Sequence, residues 1–168
     1  MKLKTVSTIT ICLMLLLGSC KKEEKLQEQI IGTWKTTSLK VNGTEDLHVW
    51  EPSYDHYVCG SKCYDEHKQV METWSINEGG SILVVEDHVS HKIDQLASDT
   101  KCSCVYAKES YYDYYFNWTW ELSSDGKTFT IIVSGIRFPY EVKELTKKKL
   151  QLSSKGSGKH KEYIFEKH

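Results

Sequence analysis

Four cysteines carry the most specific chemistry in this chain. Cys59-Gly60-Ser61-Lys62-Cys63 and Cys102-Ser103-Cys104 form two close pairs far apart in sequence. In an oxidising compartment such thiols become disulfides. A bond within Cys102–Cys104 is disfavoured, because extended residues i and i+2 splay their Cβ atoms. Two cross-links between the pairs are expected, with the pairing left open. The rival is zinc held by four thiolates, or by thiolates with histidine. Three and one intervening residues are poor spacings for a zinc knuckle. His48, His56, His67, His88 and His91 lie near the cysteines in sequence, and a metal site would need several to converge. No metal is assigned.

Catalytic signatures are absent from the sequence. There is no Gly-x-Ser-x-Gly elbow, no His-Glu-x-x-His and no Gly-rich phosphate loop. Oxidised cysteines are not nucleophiles. A non-enzyme without a cofactor is expected. Arg137 is the one arginine, so no arginine cluster clamps phosphates. Around the cysteines stand Trp50, Tyr57, Tyr64, Tyr106 and Tyr111, with Tyr54 and Tyr112. Tyr and Trp are rigid amphipathic contact residues, so these five are candidate ligand-binding positions. A lid packed on its own small cluster is the competing reading.

The first residues are an address. Lys2 and Lys4 precede the apolar run Ile9–Leu17, which is too short to span a bilayer. Leu17-Gly18-Ser19-Cys20 resembles a bacterial lipobox, in which the cysteine is acylated and becomes the new N-terminus. Residues 1–19 are read as the signal peptide and 20–29 as acylated N-terminus and tether. Lys21-Lys22-Glu23-Glu24-Lys25 resembles the surface-export signal of Bacteroidota lipoproteins. The expected place is the bacterial outer membrane, lipid-anchored and facing the cell surface, with a periplasm-facing protein as the alternative. The chain has 22 basic and 23 acidic residues. Loss of Lys2 and Lys4 leaves 20 basic residues against the same 23 acids, a net charge of −3. That balance argues against a nucleic-acid partner.

The elements that would position the cysteines read as strands. Phe116, Trp118, Trp120 and Leu122 alternate with Asn117, Thr119 and Glu121, so one face is apolar. Asp125-Gly126 turns the chain, and Thr128–Val133 returns with Phe129, Ile131 and Val133 on one parity. Ile31–Val41 is an earlier strand, ended by Asn42-Gly43. Trp34 and the pair Leu39/Val41 differ in parity, which predicts a bulge. Strands are also expected at Val70–Asn77, Ser81–Val89, Phe138–Leu145, Leu150–Ser154 and Glu162–Lys167, with Gly135-Ile136-Arg137 as a turn. Thr44–Gln69 and Ser90–Asp113 show no periodicity and read as irregular insertions. They follow odd-numbered strands, so they should emerge at the same end and meet there.

Gly32-Thr33-Trp34 resembles the Gly-x-Trp signature that opens the first strand of lipocalins. The segments Trp120–Thr128 and Tyr140–Thr146 look like later hairpins of lipocalin-like domain lipoproteins of Bacteroidota. The resemblance covers residues 20–168. It implies an all-β fold: an up-and-down antiparallel barrel of about eight strands over residues 30–168, here with two disulfide-linked insertions. It also implies small-molecule binding. In lipocalins the signature Trp packs against a late-strand arginine, whereas Arg137 lies before the sixth expected strand. The reading is a membrane-anchored, non-catalytic binding module for a small or lipophilic ligand at the barrel mouth. The alternative is a protein-interaction or structural envelope lipoprotein with a filled barrel and an envelope protein as partner.

Overall fold

The computed structural model describes residues 25–107, 109–155 and 159–168. The lipidation site Cys20, the charged tether to Glu24 and the expected Gly156–Gly158 turn lie outside the described residues. A helical segment, α1, covers residues 25–30. Then follow β1 (Gly32–Val41), β2 (Thr44–Glu45), β3 (Glu51–Val58), β4 (Ser61–Ile76) and β5 (Ser81–His91). A short helix α2 (Gln95–Lys101) precedes β6 (Ser110–Leu122), β7 (Thr128–Val133), β8 (Ile136–Leu145), β9 (Lys149–Lys155) and β10 (His160–Lys167). Among the described residues no helix is long and apolar enough to cross a membrane.

Each strand from β4 to β10 pairs antiparallel with its sequence neighbour. β1 then pairs with β10 on one side and with β4 on the other, Trp34 lying opposite Trp74. Those pairings close eight strands, β1 and β4–β10, into the expected up-and-down barrel. Closure pairs every barrel strand on both sides for at least part of its length, which blunts the edges. β2 and β3 lie outside the ring, on the flanks of β1 and β4. The parity break in β1 is a bulge between Thr36 and Ser38, as the residue pattern predicts.

The two stretches expected to be irregular are largely strand. β3 and the first half of β4 form a hairpin within Thr44–Gln69, and β6 starts at Ser110 rather than near Tyr115. Both faces of these segments are mostly polar or aromatic. Period-two alternation reports a buried face, whereas the ladder of backbone hydrogen bonds does not need one. The ladder therefore persists where the pattern fades. The turn after β7 is also shorter than expected. Ser134 and Gly135, with φ of 50° and 81°, make a two-residue loop, and Ile136 already starts β8.

One half of the barrel is filled. Trp34, Phe129, Phe165, Leu150 and Ile30 are fully covered. The Trp34 indole N–H donates to the Ile30 carbonyl at 2.7 Å, tying α1 under the barrel. Lys167 of β10 lies over the Trp34 ring at 5.0 Å and donates to the Gln29 and Ile31 carbonyls. The cation over this Trp is thus a lysine. Arg137 points elsewhere and pairs with Glu121. Leu26 of α1 also lies against the Ser123–Lys127 turn, where a φ of 73° favours glycine at 126.

At the other end β1 and β4 part after Lys35 and Thr73. A second bulge, between Gln69 and Met71, bends β4 away. The segment after β2 wedges into the gap. The Asp46 N–H donates to the Leu39 carbonyl and the His48 N–H to the Gln69 carbonyl, each at 2.8 Å, while Leu47 is buried. The wall is sealed by a loop rather than by strand pairing.

Candidate functional site

β3, β4, β5 and β6 run on past the barrel rim as a sheet extension. At its tip Cys59 bonds Cys102 and Cys63 bonds Cys104. The insertions do meet at one end, and all four sulfurs are used in disulfides. Cys59 and Gly60, with φ of 47° and 83°, form the two-residue turn of the β3–β4 hairpin, and Cys102 caps α2 with φ of 49°. Left-handed cysteines are uncommon, and here two of them are bonded to each other. Asp65 adds a polar anchor: its Oδ1 accepts from the Ile93 N–H at 2.7 Å and lies 2.9 Å from His56 Nε2. The buried apolar cluster at this tip is small, with Val58, Cys63 and Ile93.

Inside the open half of the barrel is a cavity of about 340 Å³. Its walls come from six strands: Trp74, Trp118, Ile131, Val133, Phe138, Tyr140 and Tyr163 are the apolar and aromatic part. Glu72, Glu86 and Lys161 are the charged part. These residues face inward because they share parity with core residues, Glu72 with Trp74 and Glu86 with Val84. Phe138 and Ile136 stay exposed at the rim.

Glu72 is the unusual member, being only 4% exposed. Its Oε1 accepts from the Trp74 indole N–H at 2.5 Å and its Oε2 from Gln69 Nε2 at 3.2 Å. Burial raises its carboxyl to about 7, and nearby Glu86 adds to this; the two hydrogen bonds pull the other way without prevailing. Burial and the charge of Glu72 push the Tyr140 hydroxyl up to about 12, and raise that of Tyr163 further. Both phenols therefore stay neutral and can donate hydrogen bonds.

Beside the cavity is a groove of about 560 Å³ on the inner face of the extension. Tyr112, Tyr114, Phe116 and Trp118 lie along β6 at alternate positions, with successive ring centroids 5.5, 6.5 and 5.4 Å apart. His88 stacks on Tyr112 and lies 3.2 Å from Glu86, at the junction of cavity and groove. Asp65, His67 and Lys92 line the groove's polar side.

Of the five candidate ligand-binding residues, Tyr111 alone borders the groove. Trp50 stacks on His91 at 4.1 Å, with Lys68 over its ring and Tyr106 tilted against His91 at 5.8 Å. That cluster lies on the opposite face of the sheet from Ser90. Tyr57 and Tyr64 are exposed near the tip. Glu72, Tyr140, Tyr163 and Tyr114 line the hollows without having been named as binding residues, and Tyr112, named beside the five, joins them. Glu72 and Tyr163 each carried a signal, their parity with Trp74 and Phe165. His56, His67, His88 and His91 disperse over the extension and His48 lies in the wedge after β2, and among the described residues no three His, Cys, Asp or Glu side chains converge as a metal site.

No protein-family model and no curated protein matches the chain. Among solved structures the chain is similar to a lipocalin-like protein from Bacteroides uniformis, at 13% identity, over 83% of this chain and 99% of that one, with a TM-score of 0.40. The strand pairing described above, not this likeness, establishes the barrel.

Proposed function

We propose that the chain is a lipid-anchored, non-catalytic binding module that takes one small, lipophilic ligand in the open half of its barrel. The carrying observation is the cavity: about 340 Å³, aromatic-walled, with a few convergent polar groups, in the size range of small-molecule sites. A barrel that needed only stability would fill this half as it fills the other. Native mass spectrometry of protein purified from its host tests the reading, and a bound small molecule is the expected result. Ile131→Trp should fill the cavity and abolish that adduct; an adduct that survives it sits elsewhere. Anchoring rests on the lipobox resemblance at Cys20. Cys20→Ala should move the protein from membrane to soluble fraction, and retention on the membrane would remove the anchor from the proposal.

The second reading is a partner protein held by the extension. Its support is the exposure of Tyr54, Tyr57, Tyr111 and Tyr115 on that element. Crosslinking in intact cells separates the two: variants of these tyrosines should lose a partner band while leaving the small-molecule adduct in place.

A further inference from the structure

A site for a plain hydrocarbon has no use for two carboxylates in its wall, yet Glu72 and Glu86 both line the cavity. Each oxygen of Glu72 accepts one hydrogen bond, and a carboxylate oxygen can accept two. Half of its capacity is unused. A buried carboxylate is costly unless a cation accompanies it. Lys161 lines the same cavity but makes no ion pair with either glutamate among the described residues. Around Glu72 stand the rings of Trp74, Trp118, Tyr140 and Tyr163. Aromatic faces attract cations, most strongly where water is excluded. Carboxylate and aromatic walls together fit an organic ammonium, whose charge meets the acid and whose apolar body meets the rings.

We infer that the mouth cavity selects a small organic amine, its ammonium beside Glu72 and its apolar body against Trp118 and Phe138; this rests on the binding-module reading above. Lys161 acts on Glu72 only weakly and, among the described residues, makes no ion pair with it, so the amine is the cation that would sit directly on the carboxylate. Because burial holds that carboxyl protonated up to about pH 7, amine binding below pH 7 ionises it and releases a proton. Amine affinity therefore rises with pH up to about 7 and flattens above. The facing groups agree with this sign. Gln69 and Trp74 on β4 favour the ionised form by hydrogen bonding, Glu86 on β5 opposes it, and Lys161 on β10 favours it weakly. Tyr140 and Tyr163 stay neutral across this range. His88 lies 3.2 Å from Glu86, whereas Glu72's hydrogen-bond partners are Gln69 and Trp74 on β4.

The test is calorimetric titration of the full chain with 2-phenylethylamine, 2-phenylethanol and 3-phenylpropionate, which share a body and differ in charge. The amine is expected to bind about ten-fold tighter than either other probe near pH 8. In buffers of different ionisation enthalpy near pH 6, the amine alone should release a proton. Glu72→Gln should bring the amine-to-alcohol ratio close to one. Lys161→Met should tighten the amine and loosen the carboxylate, and serves if Glu72→Gln does not fold. Preference for the carboxylate, equal binding of all three, or an unchanged ratio in Glu72→Gln overturns the amine and leaves the binding cavity standing. Binding of none of the three overturns both.

Discussion

At the α1 end of the barrel Trp34, Phe129 and Phe165 are fully covered, and the Trp34 indole N–H ends on a backbone carbonyl. At the other end Trp118 and Phe138 stay accessible, and the Trp74 indole N–H ends on a buried carboxylate. The same inward alternation builds both ends. They differ in what crosses the opening. α1 plugs one end, and its Ile30 and Leu26 close the packing. The other end has bulged strands, a wedge at Leu47 and a polar extension held by disulfides in place of a large apolar cluster. One end is built to be stable, the other to stay open.

The largest test of that contrast is Trp34→Ala. Removing a fully buried Trp should cost about 3–5 kcal/mol in chemical denaturation. A loss under about 1 kcal/mol would mean that the plugged end is not the stable one.

Next comes the buried acid. The folded-state value of Glu72 is about 7, above its ordinary carboxylate value of 4.5. The native state therefore holds more protons than the unfolded chain between these limits. Stability contributed this way is complete below about pH 4.5 and is lost as pH rises through 7, by roughly 3 kcal/mol. Glu72→Gln should flatten this part of the pH–stability curve, measured by denaturant midpoints from pH 5 to 8. An unchanged slope would place the acid in water.

A smaller effect is expected at the tip. In the chain-entropy model the Cys59–Cys102 bond, which spans 43 residues, restricts the unfolded chain by about 4 kcal/mol. Once it is made, Cys63–Cys104 closes only a short ring and adds about 2 kcal/mol. Cys104→Ser should cost about that second amount, and a far larger loss would show that the two bonds do not share one loop.

The smallest effect is reserved for the open end. Trp118 is half-buried against empty space, so Trp118→Ala should cost about 1 kcal/mol while enlarging the cavity. A cost matching that of Trp34→Ala would erase the distinction between the ends.

The β6–β7 hairpin was legible because Phe116, Trp118 and Trp120 face a core and Asn117, Thr119 and Glu121 face water. The meeting of the cysteine pairs was legible because connections after odd strands leave an antiparallel barrel at one end. The strands of the extension were not, since His88, Ser90, Tyr112 and Tyr114 lack the apolar alternation that marks a buried face. Glu72 was not either. A lone Glu in Met71-Glu72-Thr73-Trp74 looks like a solvent residue, and its parity with Trp74 does not by itself show the hollow that it faces.

Local order in this chain determined the alternation of its strands, its turns at Asn42-Gly43 and Asp125-Gly126, and the number of disulfides its paired cysteines can form. Those properties depend on neighbours within a few residues, or on compartment. Only the tertiary structure decided which cysteine pairs with which, that Lys167 rather than Arg137 covers Trp34, and that Glu72 shares a hollow with Trp118, Tyr140 and Tyr163. Each of these is set by how strands far apart in sequence are staggered when the sheet closes. A single bulge changes which face a side chain takes, and the residue pattern that marked the bulge in β1 did not mark the one in β4.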